Sequence, residues 1–108
     1  MKVNELASLE GFSVVALPDG EREIGGVYIG DLLSWVMGRA KADDAWITIM
    51  SNINIVAVAS LADVACIILA EGVQLEKSVT ETAEAKSVNI LTCQMPAYEA
   101  AKTFFGKL

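Results

Sequence analysis

Apolar residues along the 108-residue chain come in short bursts, and their spacing switches between two residues and three to four. In "VNELASLEG" (3–11), Leu6 and Leu9 define one side of a short helix, with Asn4 as the expected cap and Gly11 closing it. "FSVVAL" (12–17) reads as a strand, and Pro18-Asp19-Gly20 as a turn. "EIGGVYIG" (23–30) contains a second strand-like piece, whose adjacent Gly25 and Gly26 mark a bulge or a close backbone approach. Asp31 then stands as the expected cap of a helix over 31–40, with Leu32, Leu33, Val36, Met37 and Ala40 on one apolar face.

The remainder alternates regularly. "AWITIM" (45–50) is a strand by its aromatic and β-branched content, and a short helix over 53–61 is entered from Ser51-Asn52. "VACIIL" (64–69) is the next strand, with Asp63 in the turn before it. A helix over about 76–86 turns Val79 and Ala83 inward, and "VNIL" (88–91) follows as a strand. Pro96 opens a last helix with Ala97, Ala101, Phe104 and Leu108 on one side and Glu99 and Lys102 as a surface pair. Strand-helix alternation of this kind predicts an α/β fold, a mainly parallel sheet covered by helices. The stretch from 51 to 69 holds two asparagines and then an apolar run broken by Ser60 and Asp63, whereas a membrane span needs about 20 uninterrupted apolar residues. It is expected to be core.

Composition narrows the picture. One domain over 1–108 is the natural reading, and 54% hydrophobic residues against 20% charged argue for a packed core. The net charge of −6 is spread along the chain, with no cluster of Lys or Arg. That disfavours nucleic acid and anionic membrane surfaces as partners. The first residues lack the apolar core of about 7–15 residues that a secretory signal carries, so a cytoplasmic location is the expectation. There is no histidine, hence neither the commonest general base nor the commonest metal ligand, and no metal site is expected. Cys66 and Cys93 sit among apolar residues and read as reduced core thiols.

"EREIGG" (21–26), "GDLLSWVMGRA" (30–40), "AWIT" (45–48), "NINIVAVASLADVACIIL" (52–69) and "CQMPAYEAA" (93–101) form an ordered series. On these segments the chain resembles the DRTGG domain family, over about Lys2 to Phe105. The family is similar to the N-terminal domain of the HPr kinase/phosphorylase and also occurs beside CBS domains, in phosphotransacetylase-type proteins, and as small stand-alone proteins. The resemblance implies a three-layer α/β/α sandwich with a regulatory or ligand-sensing role. Kinase activity in the larger enzyme belongs to a separate domain with a phosphate loop, and no G-x-x-x-x-G-K-[ST] occurs here. The naming segment reads Glu21-Arg22-Glu23-Ile24-Gly25-Gly26, and Ser51-Asn52 stand where many members have Thr-His.

Ligands of open α/β sheets bind at the C-terminal edge of parallel strands. That edge is expected to gather Ser51, Asn52 and Asn54, then Glu71 and Gly72, then Thr92, Cys93 and Gln94, with Tyr28 and Asp31 nearby. Hydroxyls, amides and free N–H groups at 51–54 suit an anion or a nucleotide phosphate. Ser, Asn and Asp before helices are first of all read as caps. A Cys93 nucleophile would need a base that no histidine can supply, and no catalytic residue or cofactor is expected. Arg22 has a donor fork for a carboxylate of Glu21, Glu23 or a partner chain. Trp35, if exposed, is an anchor for an interface.

A non-catalytic regulatory or ligand-sensing domain, working through a signalling partner or its own dimer and binding a nucleotide or small anionic metabolite, is the leading expectation. The alternative is a structural or interaction module acting as a homodimer without a ligand. An enzyme comes third.

Overall fold

The computed structural model describes all residues from Met1 to Leu108. Ten elements follow in the order α1 (Val3–Ala7), β1 (Phe12–Ala16), β2 (Gly26–Ile29), α2 (Leu33–Arg39), β3 (Asp44–Thr48), α3 (Asn54–Ala62), β4 (Cys66–Leu69), α4 (Lys77–Ala85), β5 (Ile90–Cys93) and α5 (Ala97–Phe105). The strands form one sheet ordered β1-β5-β4-β3-β2. β2, β3, β4 and β5 are parallel, and β1 lies antiparallel against β5 with a register shift between Val14 and Ala16. The sheet is mainly parallel, as the alternation predicts, and the layers are those of the three-layer α/β/α sandwich that the family resemblance implies.

Strand periodicity sorts the core into two layers. Ala45, Ile47, Cys66, Ile68, Leu91 and Cys93 face α1 and α5, meeting Val3, Leu6, Ala100 and Phe104. Trp46, Ile67, Leu69 and Ile90 face the other way, against Val36, Ile55, Val56, Ala59, Val79 and Ala83 from α2, α3 and α4. β3 and β4 are buried at every position, as central parallel strands covered on both faces must be. Phe12 and Phe104 close the first layer edge to face, with ring centroids 6.2 Å apart.

Several local expectations are corrected. Lys2, not Asn4, occupies the N-cap of α1, where the Glu5 carboxylate accepts from the Lys2 N–H at 2.9 Å. Gly11 lies beyond that helix, at φ +97°, in the turn into β1. Asp31 does not cap α2. Leu32 holds that position, and only Val36 of the expected apolar face is buried, with Leu32 and Met37 exposed. A helix of seven residues touches the sheet through little more than one turn, so its flanking apolar residues stay outside. On α5 the inward pair is Ala100 and Phe104, and Leu108 is exposed past the helix end. No ion pair forms between Glu99 and Lys102.

Gly26 opens β2 and realises the close-approach reading. A Cβ there would stand 2.7 Å from Asp44 Oδ1, a carboxylate whose Oδ2 already accepts from the Lys41 N–H. Arg22 pairs with neither neighbouring glutamate. Its Nη2 reaches Asp43 Oδ1 at 2.9 Å, Asp63 Oδ1 at 2.8 Å and the Asp63 carbonyl at 2.6 Å. Partial burial disfavours the charged guanidinium, but hydrogen bonds to Asp63 and Asp43 outweigh it and keep the pKa raised. Asp43 and Asp63 both adopt left-handed backbone conformations at the starts of neighbouring chain segments. Arg22 therefore ties three loops at the N-terminal edge of the parallel strands, opposite the expected ligand edge.

Candidate functional site at the C-terminal strand edge

The four parallel strands end on a rim built from the loops that follow them. Asp31, just after β2, braces the β3 exit: its Oδ1 accepts from Thr48 Oγ1 at 2.8 Å and from the Ile49 N–H at 3.0 Å. Thr48 Oγ1 in turn accepts from the Met50 N–H at 3.2 Å. Trp46 fixes the same region from below, donating its indole N–H to the Gly30 carbonyl at 2.9 Å. The loop after β3 then turns on Asn52, whose Oδ1 accepts from the Asn54 N–H at 2.9 Å. That bond is an Asx turn leading into α3. Asn52 thus acts in the cap region, while its amide nitrogen remains available.

The β4–α4 loop is held from the β5 side. Glu71 and Gly72, both left-handed, donate their N–H groups to the carbonyls of Met95 and Cys93 at 2.9 Å each. The Thr92 hydroxyl is shared between the carbonyls of Val73 (3.3 Å) and Leu69 (3.5 Å). A side chain at Gly72 would run into the amide of Gln94, which packs over that glycine.

Two hollows result. One of about 500 Å³ lies between the β3–α3 and β4–α4 segments, lined by Ser51, Asn52, Ile53, Gln74, Glu76, Ser78 and Val79. A second, of about 260 Å³, lies over β5 and β1, lined by Val15, Gly72, Val73, Gln74, Leu75, Thr92 and Gln94. Gln74 borders both. Ser51 and Asn52 are brought together in the first and Thr92 in the second. Asn54 faces instead a shallow groove of about 400 Å³ between α3 and α4. Tyr28 packs half-buried against the α2–α4 layer, and Asp31 spends its carboxylate on the β3 exit. Cys93, placed at the rim by sequence, is buried in the opposite layer, because strand alternation turns Thr92 and Cys93 to different faces. Gln74, Glu76 and Ser78 were not among the expected residues. Gln74 belongs to the polar connection after β4, Glu76 is the N-cap of α4 and Ser78 lies in its first turn, and their nearness to the strand edge is the only clue the sequence offers.

Cationic groups are missing from both linings, which carry amides, hydroxyls and one carboxylate. No three His, Cys, Asp or Glu side chains converge anywhere in the chain in a metal-holding arrangement. Trp35 is exposed on α2, with the Arg39 guanidinium stacked 3.7 Å from its ring centroid.

Both thiols are free and buried. Burial pushes Cys66 up to about 12, against a smaller opposing influence of Arg22, and burial also raises Cys93. The register sets Cys66 and Cys93 about four residues apart along adjacent strands, roughly 13 Å, well outside disulfide reach. Native protein treated with iodoacetamide at pH 8 is accordingly expected to gain no mass over an hour, and two adducts once denatured. A native adduct on either thiol would contradict the burial and the raised pKa values.

A comparison with curated proteins gives no match. Among solved structures, the chain is similar to the crystal structure of the CBS and DRTGG domains of the regulatory region of Clostridium perfringens pyrophosphatase complexed with activator, diadenosine tetraphosphate. The TM-score is 0.67 at 14% identity, a likeness of fold. It covers 93% of this chain and 43% of that one, so the chain spans less than half of that structure's length. Residues 6–104 match the DRTGG domain, and the chain belongs to that family.

Proposed function

We propose that this chain is a non-catalytic regulatory domain that binds a small ligand at the C-terminal strand edge and passes its occupancy to a partner. The observation that carries the reading is the pair of adjoining hollows bridged by Gln74, at the edge where parallel α/β sheets take ligands. Amides of Asn52, Gln74 and Gln94 can pair with the donor and acceptor edge of a nucleobase. The Glu76 carboxylate can accept from the hydroxyls of a sugar. Such walls suit the base and ribose of a nucleotide better than its phosphates. The fold likeness to a regulatory region crystallised with diadenosine tetraphosphate supports a ligand of this class.

The reading is tested by amide NMR titration of the protein with adenosine, ATP and diadenosine tetraphosphate. Expected are shifts concentrated at Ser51, Asn52, Gln74, Glu76 and Gln94, with Gln74→Ala weakening binding about tenfold, the worth of one to two hydrogen bonds. Absence of shifts at millimolar ligand, or shifts confined to the Arg22 edge, would overturn it.

An interaction module without a ligand is the second reading. It is favoured by the exposure of Trp35, Ile53 and Leu61 on the α2–α4 layer.

A further inference from the structure

The outer surface of α3 and α4 carries a feature that ligand binding by one chain does not use. Ile53 at the N-cap of α3, and Ala57 and Leu61 within it, recur at four-residue spacing and remain exposed, Leu61 to 72%. They border the groove of about 400 Å³ that Thr82 of α4 and Lys86 at its C-cap close on the other side. The groove meets the rim hollow at Ile53, which lines both. Glu76 and Ser78 thus lie at one end of this surface, and Lys86 at the other. Neither Glu76 nor Lys86 takes part in an ion pair within the chain.

We infer that this face pairs with a second copy of the chain about a two-fold axis passing near Ala57 and Thr82, perpendicular to both helices. The pattern is its own complement under that operation. Antiparallel α3 helices set Ile53 against the partner's Leu61, and Leu61 against the partner's Ile53. The small Ala57 at the centre lets the two backbones approach as closely as packed helices do, about 8–10 Å between axes. On α4 the same rotation brings the partner's Lys86 to the end where Glu76 and Ser78 lie, so that two ion pairs form by symmetry. A parallel arrangement would set like end against like end and leave both charges unmatched. Self-complementarity of apolar and charged positions together is what a closed isologous dimer requires.

The pairing also deepens the proposed ligand reading and rests on it in this one respect: the partner's Lys86 arrives beside the hollow lined by Glu76 and Ser78. A cation absent from the lining of the single chain would then stand where the phosphate end of a nucleotide leaves that hollow.

The test needs no ligand. Native mass spectrometry and sedimentation of the full chain at tens of micromolar are expected to give a dimer. Ala57→Cys is expected to form one disulfide-linked dimer on mild oxidation, since both native thiols are buried, whereas Trp35→Cys is not. Leu61→Asp, at an exposed position that leaves the fold intact by circular dichroism, is expected to weaken dimerisation at least tenfold. Lys86→Glu should weaken it several-fold, and Lys86→Glu with Glu76→Lys should restore it. A monomer at these concentrations, a dimer that Leu61→Asp leaves unchanged, or cross-linking through Trp35→Cys in place of Ala57→Cys would each overturn the inference. Dimerisation without any nucleotide-induced NMR shift would leave the two-fold face standing and remove the ligand reading alone.

Discussion

Trp46→Ala is expected to cost about 3–5 kcal/mol of stability, the usual range for deleting a buried tryptophan. Trp46 has no exposed surface and fills the layer between β3 and Val36, Ile55 and Ile67. A small domain has only about 5–15 kcal/mol in total, so the variant would sit near the edge of folding. Urea unfolding followed by far-UV circular dichroism would show the loss as a shifted midpoint. Trp46→Phe separates two causes. It keeps most of the apolar volume but removes the indole N–H that the Gly30 carbonyl accepts at 2.9 Å, and a loss of about 1–2 kcal/mol is expected. Gly30 adjoins Asp31, which braces Thr48 and Ile49, so the same variant should speed amide exchange across Ile49–Ser51 more than across β4. An alanine variant within about 1 kcal/mol of the parent would show that the layer can collapse around the missing ring.

How far the sequence reaches can be judged from where each kind of signal comes from. Strand-helix alternation from residue 45 onward is a local pattern, and the parallel sheet followed from it. β1 was legible as a strand, but its antiparallel pairing depends on where the chain returns and not on its own residues. Arg22 shows the limit most clearly. Its sequence neighbours Glu21 and Glu23 were the obvious carboxylates, yet these go to Lys2 and to the terminal amine. Its actual partners lie 21 and 41 positions away, joined only because β3 and β4 start side by side.

The candidate site divides in the same manner. Ser51 and Asn52 follow the end of β3 and Thr92 lies near the end of β5, and the general rule for strand edges reaches them. Cys93 was misplaced because a one-residue step along a strand exchanges faces. Asp31 was read as a cap because Asp before an apolar helix usually is one. Two donors at the β3 exit, Thr48 Oγ1 and the Ile49 N–H, compete for its carboxylate and win, leaving Leu32 at the helix start. The Gly25-Gly26 pair of the family's naming segment proved to serve the N-terminal edge. Gly25 donates its N–H to the Asp43 carbonyl, and Gly26 makes room for Asp44. That segment therefore holds the strand starts together, while the hollows lie at the other end of the sheet.

Asn89→Asp is expected to destabilise the protein by about 3–5 kcal/mol at neutral pH, and by less in acid. Asn89 is a buried polar side chain just before β5. Its Oδ1 accepts from the Asp19 N–H at 2.9 Å, and its Nδ2 donates to the carbonyls of Asp19 at 2.8 Å and Ala65 at 2.9 Å. One amide thus ties the turn after β1 to the start of β4. An ionised carboxylate could still accept from Asp19, but its second oxygen would face two carbonyl oxygens in a site removed from water. Breaking a buried polar network and burying an unpaired charge both carry costs in this range. Protonation relieves the conflict in part, since the acid O–H can donate to one of the two carbonyls. The introduced carboxyl would therefore titrate above its unfolded value of about 3.9. A group with a raised folded pKa binds its proton more tightly when folded. The variant's stability relative to the parent would therefore be highest below about pH 4 and fall as pH rises through the raised value. Asn89→Leu removes all three bonds without a charge and should cost about 2–4 kcal/mol at every pH. Urea midpoints of both variants and the parent, measured from pH 3 to pH 7, would check the assignment. A flat difference between Asn89→Asp and the parent across that range would mean that water reaches the site and that the three bonds do not close it.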